Sequence, residues 1–202
     1  MYDTVTIDNE NYYLISGYIF MIKILGISGS LRKASYNTEL LRTACDVVPD
    51  GSSIETFDLS PLPLYNDDLA EDDPPSSVLD LRNSIKESDG LLIASPEYNY
   101  SFTGVLKNAL DWASTDTLGN VMAEKPAAIM GASRTLFGTV RGQLHLRQAL
   151  LGMSSKVVHR PEIYVLRAQN LFNVDGALSD DYTLKKIRKL LAALFKMIET
   201  KE

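Results

Sequence analysis

Short aliphatic segments alternate with segments of helical periodicity along most of this chain. Residues 22–27 (IKILGI) and 90–95 (GLLIAS) are rich in aliphatic residues and are followed closely by glycine or proline, which is typical of strands buried on both faces. Residues 37–47 lie between them, carry leucine, alanine and valine near helical spacing, and are followed by Pro49. Parallel strands require such crossover connections, and the crossovers cover both faces of the sheet. The alternation therefore predicts an α/β sandwich around a parallel sheet.

The same pattern divides the chain into five strands and five helices. Strands are predicted at residues 22–27, 53–59, 90–95, 126–133 and 156–165, and helices at 37–47, 78–85, 104–114, 138–152 and 179–199. Residues 61–75 contain four prolines and are predicted to lack regular structure. For a five-stranded sheet of order 2-1-3-4-5 the strand order reverses between the first and third strands.

The length of 202 residues fits one domain. Met21 opens the regular pattern, so residues 21–202 are predicted to form the domain and residues 1–20 an N-terminal extension outside its core. That segment carries acidic and no basic residues, which is unlike a secretory signal.

Composition excludes several classes of function. The net charge is −6 and no dense basic stripe is present, so no nucleic-acid partner is expected. Cys45 is the single cysteine, which excludes an intramolecular disulfide or a thiolate metal cluster and favours a cytoplasmic location. His145 and His159 lack metal-ligand spacing, and no metal site is expected. No apolar run approaches the length of a membrane span.

Two polar loops follow the first and third predicted strands. In a sheet of this kind ligands bind beyond the carboxyl ends of the strands where the order reverses, so residues 28–37 (SGSLRKASYN) and 95–104 (SPEYNYSFTG) should face each other. The first loop offers serine hydroxyls, the guanidinium of Arg32 and the start of a helix, which together suit an anion. Each residue taken alone could equally be a turn or capping residue.

The first loop lacks the GxGxxG spacing of a dinucleotide fold and the GK[ST] ending of a P-loop, so neither a tightly held nicotinamide cofactor nor a nucleoside triphosphate is indicated. A phosphomonoester is a candidate ligand. The second loop, PEYNYS, suits the border of a flat heteroaromatic ring, or is a plain loop whose tyrosines cover the core.

The segments GSLRKASYN, PEYNYSFTGVLKNALDWAS and RGQLHLRQAL resemble the NADPH-dependent FMN reductase family, in particular its quinone reductase and chromate reductase branch, over residues 21–199. The resemblance implies a flavodoxin-like fold and a homodimer or homotetramer formed through the helix after PEYN. It would place Leu106, Leu110 and Trp112 near a subunit contact, although simple core packing is an equal alternative for Trp112.

The resemblance also implies a set of FMN contacts. Residues of the first loop would hold the phosphate, namely Ser30, Arg32, Ser35, Asn37 and the backbone N–H of Thr38. Residues of the second loop would border the isoalloxazine ring, and Ser133 would add a further contact. The predicted cofactor-binding residues are Ser28, Ser30, Leu31, Arg32, Ser35, Asn37, Thr38, Pro96, Glu97, Tyr98, Asn99 and Ser133, of which residues 96–99 border the ring and Thr38 acts through its backbone N–H. No catalytic side chain is implied. Ala34, Thr103 and Thr139 depart from the family pattern, and Ala34 would loosen flavin binding if its position required a positive φ.

The activity implied is a ping-pong transfer of hydride from NADPH or NADH through FMN to a small oxidant, such as a quinone, an azo compound, a flavin or a metal oxyanion. Two alternatives stay open. One is a flavodoxin-type electron carrier that docks through the acidic residues 67–73. The other is a phosphate-binding hydrolase or sensor without flavin. Arg134, Arg141 and Arg147 could meet nucleotide phosphates or pair with acids across a subunit boundary.

Overall fold

The structure, a computed structural model, describes residues 21–200, so the N-terminal extension predicted at 1–20 lies outside the described residues. The described part forms three layers, with a parallel sheet between two layers of helices. The strands are β1 (Ile22–Ser28), β2 (Ser52–Phe57), β3 (Gly90–Ala94), β4 (Pro126–Ala132), β5 (Lys156–Val157) and β6 (Ile163–Val165). The helices are α1 (Tyr36–Asp46), α2 (Asp67–Asp72), α3 (Ser76–Glu87), α4 (Gly104–Ser114), α5 (Val140–Gly152) and α6 (Asp181–Glu199).

The strand order confirms the predicted topology. It runs β2-β1-β3-β4-β5 with every pairing parallel, and β6 also pairs with β4. The chain moves outward from β1 to β2 and then returns past β1 to β3. The carboxyl ends of β1 and β3 therefore flank the crevice where a ligand is expected.

Each face of the sheet has its own hydrophobic core. On one face α1 and α6 pack through residues such as Leu40 and Leu190, and on the other α3, α4 and α5 pack through Leu81, Leu110 and Leu146. All five side chains are buried. Strands β3 and β4 are buried along their whole length, which explains why their sequences are aliphatic rather than alternating.

The fifth predicted strand, 156–165, is divided in two. β5 and β6 each pair with β4, and the residues between them include Pro161. Proline has no N–H to donate to a neighbouring strand and restricts the residue before it, so the ladder is interrupted at this point. His159 lies exposed in this break rather than in a strand.

The prediction that residues 61–75 lack regular structure is wrong, because they contain α2. The four prolines lie on either side of this short helix and not within it. The side chain of Asn66 caps its first turn by accepting from the N–H of Asp68 at 3.1 Å. The Asp67 carboxylate accepts hydroxyl donors from Tyr65, Thr115 and Thr117 at 3.0 Å, which ties the helix to the end of α4.

Arg82 of α3 forms hydrogen bonds to the carbonyls at the end of α4. Arg82 is only 2% exposed. Its guanidinium donates to the carbonyls of Trp112 at 2.8 Å and Leu118 at 2.7 Å, and also to those of Ala113 and Gly119. Burial lowers the pKa of this guanidinium below its usual value. Carbonyls at a helix C-terminus carry partial negative charge, so a buried cation stabilises them.

No helix among residues 21–200 is both long enough and apolar enough to span a bilayer.

Replacing Arg82 with methionine should lower the free energy of unfolding by about 3 kcal/mol, because buried carbonyls lose their donors. Urea unfolding measures this loss. Arg188→Met, at an exposed position of α6, is the matched control and should change stability little. Equal small losses in both variants would contradict the role assigned to Arg82.

Candidate functional site

The loops after β1 and β3 touch at the carboxyl edge of the sheet. The N–H of Gly29 donates to the carbonyl of Ala94 at 2.8 Å, and the hydroxyl of Thr103 donates to the carbonyl of Gly29 at 2.7 Å. A side chain at position 29 would press on the hydroxyls of Ser95 and Thr103, so glycine allows this approach. The convergence predicted from the sequence is therefore observed.

The first loop leads into the N-terminus of α1. Ser35 is the N-cap, and its buried side chain accepts from the N–H of Thr38 at 3.4 Å. The hydroxyls of Ser28 and Thr38 lie 2.8 Å apart. The first turn of a helix leaves backbone N–H groups without helical acceptors and carries the positive end of the dipole. Arg32 lies exposed in the same loop, so this region is suited to an anion.

Asn37 joins the start of α1 to the end of β4. Its amide nitrogen donates to the carbonyl of Ala132 at 3.0 Å, and its amide oxygen accepts from the N–H of Ala132 at 2.8 Å. The residue is 3% exposed. Both ends of the side chain are therefore committed to the main chain, and only the backbone N–H of Asn37 remains for a ligand.

The second loop is a tight turn held in an unusual backbone conformation. Tyr98 and Ser101 exchange two backbone hydrogen bonds of 2.9 and 3.0 Å, while Asn99 and Tyr100 between them have φ of 48° and 71°. Asparagine enters the left-handed region readily, but for tyrosine it costs about 1–2 kcal/mol. Such strain persists only where the surroundings fix the turn, and it is common at ligand-binding sites.

Glu97 fixes that turn to the N-terminus of α5. Its carboxylate accepts from the guanidinium of Arg141 at 2.6 Å and from the N–H of Gly142 at 3.0 Å. The guanidinium also lies over the ring of Tyr100, 3.8 Å from its centre. Neither alternative stated for Arg141 describes this contact, because its guanidinium pairs with an acid of its own chain.

A third loop, after β4, completes the edge. The N–H of Ser133 donates to the carbonyl of Val165 at 2.9 Å, and its hydroxyl lies 2.9 Å from that of Thr135. Thr139 is buried behind Gly131, where a larger residue would collide with the Thr139 hydroxyl. Thr139 accepts from the amide of Gln143 at 2.9 Å, so this departure from the family pattern is accommodated.

The remaining predicted residues lie along the same rim. Pro96 is buried, Ser30 and Glu97 are half-buried, and Leu31, Tyr98 and Asn99 are exposed. Ala34 is not among the described non-glycine residues with positive φ, so alanine carries no backbone penalty there. Within residues 21–200 no group of His, Cys, Asp and Glu side chains is arranged to bind a metal ion.

The family resemblance places three residues near a subunit contact, but in the structure all three face the interior of their own chain. Leu106, Leu110 and Trp112 are at most 2% exposed. The indole N–H of Trp112 donates to the carbonyl of Pro63 at 2.9 Å, and its ring meets the edge of Tyr65 at 5.0 Å. A contact made by α4 must therefore use its other face.

Sequence reasoning gave Arg141 no specific role and treated Thr103 as a departure from the family pattern. Thr103 joins the two loops through a buried hydroxyl, and Arg141 holds Glu97. Neither pairing is visible from sequence spacing, because the partners lie 74 and 44 residues apart. The segment PEYNYS contains no cation, so nothing local in the sequence indicates which residue pairs with Glu97.

Replacing Asn37 with leucine should lower the free energy of unfolding of the flavin-free protein by about 3 kcal/mol, because two buried backbone groups of Ala132 lose their partners. Urea unfolding without added flavin measures this, and the exposed Lys33→Leu is the control. A variant that keeps its stability but loses ligand binding would contradict the structural role.

The chain is similar to several known proteins. The family model described as NADPH-dependent FMN reductase matches residues 22–170. An NAD(P)H-dependent FMN reductase of Pseudomonas aeruginosa is 49% identical over 173 residues, covering 86% of this chain and 93% of the relative. An NAD(P)H:quinone oxidoreductase of Solanum tuberosum is 44% identical over 180 residues, with 86% and 91% covered. The solved structure of FerB, a flavoenzyme NAD(P)H:(acceptor) oxidoreductase of Paracoccus denitrificans, has a TM-score of 0.81 at 34% identity, covering 89% of this chain and 98% of that one. The chain therefore belongs to the NADPH-dependent FMN reductase family.

Proposed function

We propose that this protein is an FMN-dependent NAD(P)H oxidoreductase that reduces a quinone or a similar small oxidant. The observation that carries the proposal is the meeting of the loops after β1 and β3 at the carboxyl edge of the sheet, joined by Thr103 and Gly29. Its relatives named as FMN reductase and quinone oxidoreductase, at 49% and 44% identity, support the same activity.

The loop after β1 fits the phosphate of FMN. The N–H groups at the start of α1 and the hydroxyls of Ser30 and Ser35 supply donors, and the N–H of Thr38, which donates to the Ser35 hydroxyl at 3.4 Å, is shared with the phosphate. Arg32 supplies a charge and a planar pair of donors. Asn37 acts through its backbone N–H, because its side chain is bound to Ala132. Leu31 at the exposed tip and Ser28 beneath it complete the loop.

The loop after β3 fits the border of the isoalloxazine ring. Pro96 gives a rigid wall, and the exposed Tyr98 and Asn99 lie at its edge. The carboxylate of Glu97 is engaged by Arg141 and Gly142, so we assign it the task of holding the loop in place. Ser133 contributes from the loop after β4.

FMN, when bound, supplies the group that accepts hydride from NAD(P)H and donates it to the oxidant. The loops after β1 and β3 would hold and orient that group, and we propose that NAD(P)H and the oxidant use the same place in turn, which is a ping-pong mechanism. We assign no side chain the role of acid or base and no metal ion to the site. The oxidant we favour is a quinone; azo compounds, flavins and metal oxyanions are further candidates, and both NADPH and NADH are candidate donors.

The electron-carrier alternative rests on the acidic residues 67–73. Their first carboxylate, that of Asp67, accepts three hydroxyl hydrogen bonds within the chain, and these lower its pKa. This engagement gives the acidic segment a structural use and weakens the case for a docking surface.

Anaerobic addition of NADPH to the FMN-loaded protein tests the proposal. We expect the flavin absorbance to bleach with NADPH alone, and to recover when a quinone is added. No bleaching without a separate reductase protein would favour the carrier. A protein that takes up no FMN at all would favour the flavin-free hydrolase or sensor.

We place the protein in the cytoplasm, because a chain with one cysteine, Cys45, uses no disulfides of its own and suits a reducing compartment.

We further propose a homodimer or homotetramer. The apolar side chains exposed beside the outer face of α4 are Leu64, at 83% exposure, Tyr65 and Leu69. The backbone N–H of Tyr65 donates to the side chain of Asn108 at 2.7 Å, which fixes this segment against α4. An exposed apolar patch next to a helix is suited to a partner subunit.

Replacing Leu64 with glutamate should shift the protein toward monomers, because it places a charge at the proposed contact. Size-exclusion chromatography with light scattering measures the mass of each variant. Val174→Glu, at a fully exposed position in another loop, is the control. A monomeric parent protein, or a Leu64 variant of unchanged mass, would contradict this surface.

Replacing Arg32 with alanine should weaken FMN binding by the value of a charged hydrogen bond, about 1.5–3 kcal/mol, or roughly 10- to 150-fold in Kd. Quenching of flavin fluorescence measures the affinity. Lys33→Ala, the adjacent exposed cation, is the control and should change the Kd less. Unchanged affinity in the Arg32 variant would remove this residue from the phosphate site.

A further inference from the structure

A cavity lies beside the phosphate loop, between α1 and the edge strand β2. Its volume is about 450 Å³, which lies in the range of small-molecule sites. It is lined by Ser28, Ser30, Leu31, Thr38, Leu41, Arg42, Cys45, Ile54, Thr56, Phe57, Asp58 and Leu59. Ser28, Ser30, Leu31 and Thr38 belong to the phosphate loop, and the fold and activity described above give the other lining residues no ligand.

The floor of the cavity is apolar. Leu41 of α1 and Ile54 of β2 face each other there, and Cys45 lies beside them with its thiol 3.8 Å from the carbonyl of Ile54. Burial, and then the charge of Asp46, raise the pKa of this thiol, so it stays neutral. A neutral thiol packs as a small apolar group. This floor can therefore accept a flat, weakly polar ring.

The upper walls are polar. Ser28, Thr38 and Thr56 present hydroxyls, and Asp58 presents a carboxylate. The hydroxyl and N–H of Ser60 donate to Asp58 at 2.6 and 2.9 Å and hold its pKa below its usual value. Asp58 therefore remains an ionised acceptor for amino or hydroxyl groups of a ligand.

One rim of the cavity also carries a cation. Arg42 lines it, and one of its terminal nitrogens donates to Glu39 at 2.6 Å. A guanidinium has five N–H donors in a fork, so this pairing leaves donors for a phosphate oxygen.

The cavity is continuous with the phosphate loop. Ser28, Ser30, Leu31 and Thr38 line it and also belong to the loop that we assign to the FMN phosphate. If the phosphate of a ligand binds to that loop, any part of the ligand beyond the phosphate can extend into the cavity. A mononucleotide ends at this phosphate, whereas a dinucleotide continues with a second phosphate, a ribose and a purine.

We propose that this cavity is a binding subsite for an adenylate group. The purine plane lies against the apolar floor of Leu41 and Ile54, its amino group or the ribose hydroxyls meet Asp58 and the wall hydroxyls, and Arg42 meets the second phosphate. The proposal rests on the proposed function, because it extends the same phosphate loop. The adenylate belongs to FAD, which would be held on the same phosphate loop as FMN.

Replacing Thr56 with tryptophan tests the subsite by filling it. Thr56 is an exposed strand position, where an aromatic residue is compatible with the fold. Glu55→Trp is the matched control, because the adjacent residue of a strand points to the opposite face. Flavin-free samples are titrated with FMN and with FAD, and the KM for NADPH is measured on the FMN-loaded protein.

A loss of FAD affinity of tenfold or more in the Thr56 variant, with FMN affinity changed less than twofold, would assign the subsite to FAD. A parent protein that binds FMN but not FAD, or a raised KM for NADPH with an unchanged ratio of FAD to FMN affinity, would contradict the FAD subsite. The Glu55 control should show neither change. A Thr56 variant that binds FMN, FAD and NADPH as the parent does would overturn the subsite alone. A parent protein that binds neither flavin would instead overturn the proposed function.

Discussion

The arrangement of the site depends on the amide of Asn37, which closes on the N–H and C=O of Ala132. In the sheet β3 lies between β1 and β4. This contact therefore links the start of α1, which follows β1, to the end of β4 on the other side of β3. The hydroxyl of Thr103 then draws the loop after β3 against Gly29. Two buried polar contacts thus hold three loops at one edge, and buried hydrogen bonds of this kind are costly to break.

The topology was readable from the sequence because parallel strands buried on both faces leave an aliphatic signature, as in β3 and β4. The two errors share a physical cause. In the fifth strand the effect of Pro161 was overlooked, although a proline cannot continue a ladder. In residues 61–75 the prolines were given too much weight, since they flank α2 and leave it a capping residue, Asn66.

The candidate site was only partly predictable for a similar reason. Chain order and residue chemistry indicated which loops converge and that Arg32 and the start of α1 suit an anion. The use of each side chain depends on partners far away in sequence. Asn37 and Glu97 carry polar groups that look available to a ligand, yet the structure engages them with Ala132 and Arg141. Their side chains position the loops, so the donors for a ligand are backbone N–H groups together with the serine hydroxyls and Arg32.

A crystal structure of the FMN-loaded protein tests the central claim most directly, since it locates the phosphate and the ring independently. We expect the phosphate at the N-terminus of α1 beside Ser30 and Arg32, and the ring against residues 96–99. Flavin bound elsewhere on the molecule, or a phosphate that contacts neither the first turn of α1 nor the loop before it, would contradict the account.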